Sequence, residues 1–250
     1  MRFEGRTVIV TGAARGLGRR YAERFAEEGA HVVLADVLDD VDESAAAIAA
    51  ASPSSKAIAV RVDVRDESAT RAMAAAAVEA FGRIDVLVNN AAIWGDYEVK
   101  PLLQIEPDYW DFVLAVNLKG PLLCTRAVAP AMIEQGSGRI INVSSIGAYM
   151  PSGVYGVSKL GLNQLTLALA NELGPKGITV NAVAPGPIDN EASRKQVPDA
   201  AMERLKNTTL MKRLGDADDI YGMIAYLASD DAAWVTAQTL LVNGGFNSRL

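Results

Sequence analysis

The stretch Thr7-Val-Ile-Val-Thr-Gly-Ala-Ala-Arg-Gly-Leu-Gly18 sets a short apolar run directly against a glycine-rich turn, and residues 19–28 continue it with helical spacing up to Gly29. A buried strand feeding a helix through glycines is the opening of a βαβ unit. The pattern then repeats. His31 to Ala35 reads as a second strand closed by Asp36, and Ile58 to Val62 as a third, followed by Asp63 and a helix running through Glu79. Ile84 to Val88 reads as a fourth, leading into Asn89-Asn-Ala-Ala92. Val, Ile and Leu runs without polar alternation fit strands covered on both faces. The expected fold is therefore a doubly wound α/β sheet with helices on both sides.

Gly12, Gly16 and Gly18 lie where strand gives way to helix, the place where backbone N–H groups and the positive helix end meet a pyrophosphate. An acid at the end of the second strand, Asp36, completes the context that a dinucleotide loop requires. The spacing G-x-x-x-G-x-G departs from the commoner G-x-G-x-x-G. A carboxylate at Asp36 accepts hydrogen bonds from ribose hydroxyls and repels a 2′-phosphate, which favours NAD over NADP. Arg15, inside the loop, pulls the other way.

A second constellation runs from Asn142 to Lys159, NVSSIGAYMPSGVYGVSK. Gly138 to Ser145 reads as a buried strand ending in two hydroxyls. Tyr155 and Lys159 are four apart at the start of an apolar helix, so they share a face. A free tyrosine has a pKa of about 10. A neighbouring ammonium favours its phenolate, and Lys159 is placed to supply one.

Composition limits the alternatives. A chain of 250 residues that is 50% hydrophobic, without repeats or a Pro/Ser-rich linker, reads as one domain over residues 1–250. Within it, the dinucleotide-binding part covers roughly 1–140 and the catalytic and lid part roughly 141–250. A net charge of −6 and a pI near 4.9 argue against nucleic acid or an anionic membrane surface as partner. The lone Cys124 sits in an apolar helical run and is expected to be a small buried hydrophobe. His31, the only histidine, is expected to be structural. No signal-peptide region opens the chain and no unbroken apolar run of membrane-span length is evident, so a soluble cytoplasmic protein is expected. No metal is expected.

Taken together, the glycine loop, Asn89-Asn-Ala-Ala92, Asn117, Ser145, Tyr155-x-x-x-Lys159 and Pro185-Gly186 closely resemble the short-chain dehydrogenase/reductase family. The motifs occur in the family's order and span essentially the whole chain. The resemblance implies a Rossmann-like seven-stranded parallel sheet in a three-layer α/β/α arrangement, a nicotinamide cofactor, and hydride exchange with an alcohol carbon. It implies Tyr155 as acid/base and Lys159 as the charge that lowers its pKa and holds the nicotinamide ribose. Ser145 would orient the substrate oxygen, and Asn117 would hold a relay water. It further implies cofactor contacts from Gly12, Arg15, Gly16, Leu17, Gly18, Asp36, Asp63, Val64, Asn89, Ala91, Pro185, Gly186 and Ile188. Asp63 would meet the adenine, although it could equally cap a following helix, a role that suits Asp66 better. Asn190 stands where the family's carboxamide-contacting threonine is usual.

Three departures accompany the match. The loop from Ser145 to Tyr155 is shorter than usual, which leaves Ser144 as a rival hydroxyl, though alignment from the strand side favours Ser145. Ala92 replaces a glycine. Thr236-Ala-Gln and Val242-Asn-Gly-Gly vary on the family's ending, which points to a homotetramer. Residues 190–210 are polar and expected to form a lid, while Trp94, Tyr149 and Met150 point to an apolar or aromatic-tolerant pocket; Tyr97 follows Trp94 in the same stretch. The expected reaction is a secondary alcohol–ketone interconversion with NAD. The rivals are a 3-oxoacyl thioester reductase of the acyl-carrier type using NADPH, a sugar-nucleotide epimerase, and a non-catalytic nucleotide-sensing protein. A basic entrance for an acyl carrier would come from Arg194, Lys195, Arg204 and Lys206.

Overall fold

A computed structural model describes residues 1–94 and 101–246 of the chain. Seven parallel strands form one sheet in the order β3-β2-β1-β4-β5-β6-β7. These are β1 Thr7–Thr11, β2 His31–Asp36, β3 Ala57–Arg61, β4 Val86–Asn89, β5 Gly138–Val143, β6 Ile178–Pro185 and β7 Thr239–Val242. The helices between them are α1 Gly16–Glu27, α2 Val41–Ala51, α3 Glu67–Phe81, α4 Pro107–Leu114, α5 Gly120–Gln135 and α6 Gly153–Leu173. Three more follow β6: α7 Glu191–Gln196, α8 Asp199–Thr208 and α9 Ala217–Ala228.

The unbroken apolar runs are explained by two cores. Along β1 and β2, Val8, Val10, Val32 and Leu34 face one side, with Tyr21, Phe25, Ile220 and Ile224 from α1 and α9. The alternate residues Ile9 and Val33 face the other side, with Met73, Cys124, Val128 and Met132 from α3 and α5. Each strand keeps its period of two, but both phases are apolar. Burial pushes the Cys124 thiol up to about 12, so it stays protonated as a small core side chain. His31 also has a structural place, since its Nδ1 accepts from Lys56 N at 3.1 Å and its ring stacks on Phe81.

Strand order reverses between β1 and β4, which opens a crevice at the carboxyl edge of the sheet. Asp66 is the N-cap of α3, accepting from Ser68 N at 2.7 Å and Ala69 N at 3.3 Å. Helices α4 and α5 run on from one another through a wider π-turn at Ala115–Lys119. Together, residues 107–135 are long and apolar enough to pass for a membrane span. Here Val116, Cys124, Val128 and Met132 pack that length into the second core, an ordinary reason for such hydropathy. Tyr97 lies outside the described residues.

Candidate active site

The glycine loop is built by close backbone approach. Gly12 and Gly16 have φ of +66° and +60°, and a Cβ on Gly18 would lie 2.1 Å from the Gly12 carbonyl oxygen. Asn90 fixes the loop from the β4 side, its Nδ2 donating to the carbonyls of Thr11 at 2.9 Å and Gly12 at 3.1 Å. Thr11 Oγ1 returns the tie by accepting from the N–H groups of Asn90 and Ala91 at 3.0 and 3.1 Å. No side chain caps the N-terminus of α1, and its first turn carries no acid. Backbone donors at Gly16, Leu17 and Gly18 therefore face the crevice under a positive helix end.

Asp36 stands at the tip of β2. Its carboxylate accepts from Ala14 N at 2.9 Å and Leu38 N at 3.1 Å, which clamps it between the glycine loop and the β2–α2 turn. Each oxygen keeps acceptor capacity for a ribose hydroxyl.

On the far side of the crevice, β5 delivers Ser144 and Ser145 in opposite directions. Ser144 Oγ donates to Asn163 Oδ1 at 2.6 Å and is buried against α6. Ser145 Oγ accepts from Gly147 N at 3.0 Å and lies close enough to the Tyr155 phenol to favour its ionised form. Gly147 permits this contact, because a Cβ there would sit 3.1 Å from Tyr155 Cε1 and 3.3 Å from Ser145 Oγ. The shortened loop thus closes as a tight 3₁₀ turn, Ile146–Tyr149.

Lys159 is 3% exposed. Its Nζ donates to the Val143 carbonyl at 2.7 Å and lies 5.7 Å from the Tyr155 ring centroid. Burial holds its pKa down to about 7. The Tyr155 phenol is pushed up to about 12, again by burial, with the Ser145 hydrogen bond acting against that rise. Desolvation is the largest influence on both groups, and it drives each toward its neutral form, against the depression of the phenol that a charged Lys159 would bring.

These groups line a cleft of about 950 Å³, bounded by Arg15 and Leu17 on the loop side and by Pro185, Gly186 and Ile188 after β6. Trp94, Tyr109, Met150, Met202, Leu205 and Phe246 give the rest of its wall an apolar character. Part of the expected lid, α7 and α8, lies across it.

The family model described as enoyl-(acyl carrier protein) reductase matches residues 12–247. An uncharacterized oxidoreductase of Mycobacterium tuberculosis is 46% identical over 243 residues, covering 97% of this chain and 98% of that protein. The chain is a short-chain dehydrogenase/reductase. Dehydrogenase/reductase SDR family member 4 of Homo sapiens is 36% identical, covering 98% of this chain and 88% of its own length. The crystal structure of levodione reductase superposes with a TM-score of 0.92 at 37% identity, covering 98% of both chains.

Membership in this family, with its Rossmann-like sheet, implies a nicotinamide dinucleotide. The loop fits that group: Gly18 admits no side chain against the Gly12 carbonyl, the helix end is uncapped, and the acid Asp36 is clamped beside the loop by Ala14 N. Ala91 lies against the loop, with its Cα 2.8 Å from where a Gly12 Cβ would stand.

Several residues expected at the cofactor also make contacts within this dehydrogenase/reductase. Asn89 turns its amide into a buried ladder, donating to Asn142 Oδ1 at 2.9 Å, and so presents no side chain to the cleft. Asn117 is fully buried with its amide engaged: Oδ1 accepts from Ile93 N at 2.8 Å, and Nδ2 donates to Ile93 O and Ser158 Oγ, both at 3.1 Å. A relay contact at Asn117 must therefore come from its backbone. Asp63 is gripped by Arg65, which holds its carboxyl below the ordinary range. Val64 packs against Gly120. Asn190 caps α7 in a reciprocal box with Ser193, its Oδ1 accepting from Ser193 N at 2.8 Å, so its carbonyl oxygen is already committed. Asn90 and Gly147 were not singled out from the sequence. Asn90 lay inside a quoted motif, but only the tertiary fold distinguishes it from Asn89.

Proposed function

We propose that the protein is an NAD(H)-dependent oxidoreductase that interconverts a secondary alcohol and a ketone, with Tyr155 as acid/base. The observation that carries this reading is that Ser145, Tyr155 and Lys159 line the same cleft, with Gly147 held between the Ser145 hydroxyl and the Tyr155 ring and Lys159 Nζ 5.7 Å from that ring's centroid. When bound, the nicotinamide dinucleotide supplies the hydride donor or acceptor. A substrate oxygen sits between Ser145 Oγ and Tyr155 Oη. In reduction, the neutral phenol gives its proton to that oxygen; in oxidation, Tyr155 first gives up its phenolic proton, and the phenolate Oη then takes the alcohol proton, favoured by positive charge when Lys159 is protonated. Acid/base assistance of this kind contributes roughly 10²–10⁴-fold.

NAD is preferred because the clamped Asp36 carboxylate repels a 2′-phosphate. The apolar wall suits an uncharged small ketone. The acyl-carrier alternative draws support from the description of the matching family model. The basic entrance it needs is largely neutralised: Arg194 pairs with Asp189 and Lys195 with Glu191, each at 2.6 Å, and Lys206 pairs with Glu203 at 3.4 Å. The working form is a cytoplasmic homotetramer, a reading supported by the exposed apolar side chains Val157, Leu160 and Leu167 on α6 and Leu241 on β7.

The test is absorbance of reduced nicotinamide with NAD or NADP over a panel of cyclic, aromatic and aliphatic alcohols and ketones, with an acyl thioester in parallel. Turnover with NAD on a ketone class, lost in Tyr155→Phe while NAD still binds, is the expected result. Substantial turnover by that variant would refute the role of Tyr155. Silence across the panel despite NAD binding would shift weight to a sensing role.

A further inference from the structure

Asn163 follows Tyr155 and Lys159 at steps of four along α6, so it continues the helical face that carries them. It is half-buried, and its amide is engaged at both ends. Ser144 Oγ donates to Oδ1 at 2.6 Å, which turns Nδ2 toward the Tyr149 hydroxyl, to which it donates at 3.2 Å. Ser144 is itself anchored to the sheet, its N–H donating to Val183 O at 2.7 Å. Tyr149 ends the 3₁₀ turn Ile146–Tyr149. The backbone bonds of that turn are local: Gly147 N donates to Ser145 Oγ and Ala148 N to Ser145 O, both at 3.0 Å. They give the turn its shape without fixing its place on α6. Tyr149 is not among the residues lining the cleft, so its hydroxyl serves this link to α6 and does not face a substrate.

We propose that Asn163 is a positioning residue of the reaction: by bridging Ser144 and Tyr149 it fixes the Ile146–Tyr149 turn on α6, and so holds the Ser145 hydroxyl where it shares a substrate oxygen with Tyr155. This inference rests on the Ser145–Tyr155 reading above and deepens it. The same helix carries Tyr155 and the amide, so the bridge ties the two halves of the site to one rigid element. Ser144 orients the amide, and Tyr149 is the arm that reaches the turn. An aliphatic side chain at 163 fills the space and makes neither bond. Losing one neutral hydrogen bond shifts an equilibrium by up to about tenfold, and reaction rates are sensitive to small displacements of an orienting group. The effect should therefore be clear but smaller than that of removing the Ser145 hydroxyl itself.

The experiment combines steady-state kinetics, using NAD and the alcohol of the panel that turns over fastest, with hydrogen–deuterium exchange of residues 145–150 read by mass spectrometry. The variants are Asn163→Leu, Tyr149→Phe and Ser145→Ala, with each of the first two also combined with Ser145→Ala. Tyr149→Phe removes one oxygen atom and keeps the test open should Asn163→Leu fail to fold. Asn163→Leu and Tyr149→Phe should each lower kcat about five- to tenfold, leave the NAD dissociation constant within about twofold and speed exchange in the turn. In the Ser145→Ala background the same changes should lower kcat by less than about twofold, because the hydroxyl they position is gone. Equal losses in both backgrounds, unchanged kcat or unchanged exchange would overturn the role of Asn163 and leave the Ser145–Tyr155 reading standing. Full activity in Ser145→Ala, or an unmodified chain that turns over none of the panel, would overturn both.

Discussion

Replacing Lys159 by Met should change how the stability of the cofactor-free protein depends on pH. Lys159 is 3% exposed, and burial brings its pKa from 10.5 to about 7. Between those values the unfolded chain binds a proton at this position that the native chain does not. Native stability therefore rises with pH across that window, and below about pH 7 the native state carries the full cost of burying the charge or giving up the proton. At 1.36 kcal/mol per pKa unit, that cost is on the order of 5 kcal/mol. From pH 6.5 to 9 the recovered part is roughly 2–3 kcal/mol, or about 5–10 °C in Tm for a chain of this size. Met fills the aliphatic volume but cannot titrate. It also leaves the Val143 carbonyl without its 2.7 Å donor, a pH-independent loss of about 1–3 kcal/mol. The offset and the slope are thus separable. Thermal melts of both proteins over that range should show the unmodified chain gaining on Lys159→Met by roughly 5–10 °C. Parallel curves would refute the claim that burial, rather than the Tyr155 ring, governs Lys159. The Tyr155 phenol, raised to about 12, enters only at higher pH: above its ordinary value the unfolded chain loses a proton that the native state keeps, so stability falls there.

Two further substitutions test the site. Ser145→Ala should lower kcat by about 10²-fold, with little effect on NAD affinity. Ser144→Ala breaks the 2.6 Å bond to Asn163 and should cost about 1–2 kcal/mol of stability while sparing most of the activity; the reverse assignment of losses, read by steady-state kinetics and denaturant melts, would exchange the two hydroxyls. Gly18→Ala places a methyl 2.1 Å from the Gly12 carbonyl oxygen, a backbone clash that must displace the loop. NAD affinity, followed by protein fluorescence quenching, should fall by about 100-fold or more, and an unchanged constant would show that the loop does not bear on the dinucleotide.

Much of the architecture was legible in order. Apolar runs separated by helical spacing gave the first four strands to within about two residues at each end, because strands covered on both faces have no polar phase to obscure them. The turn chemistry was equally local: Asp66 reads as a cap from its place before an apolar helix, and its side chain does cap α3. Helix α2, with its run of alanines and weak amphipathic pattern, had no comparably clear signature. The π-turn at Ala115–Lys119 was also illegible, because its extra residue is accommodated only where Asn117 meets Ile93 and Ser158.

For the site, spacing alone placed Tyr155 and Lys159 on one helical face and the glycines between strand and helix, since both follow from periodicities of a few residues. What adjoins them depends on residues far apart in sequence. The ends of β4 and β5 decide that Asn89 joins a buried ladder while Asn90 pins the loop, and that Ser144 points to α6 while Ser145 meets the phenol. The amide oxygen of Asn190 was open to either role until Ser193 was seen to bond it. Charge state was the least legible of all. Spacing sets an ammonium beside a phenol but not the depth at which α6 buries both, and that burial, a property of the folded core, pushes the phenol up and the ammonium down.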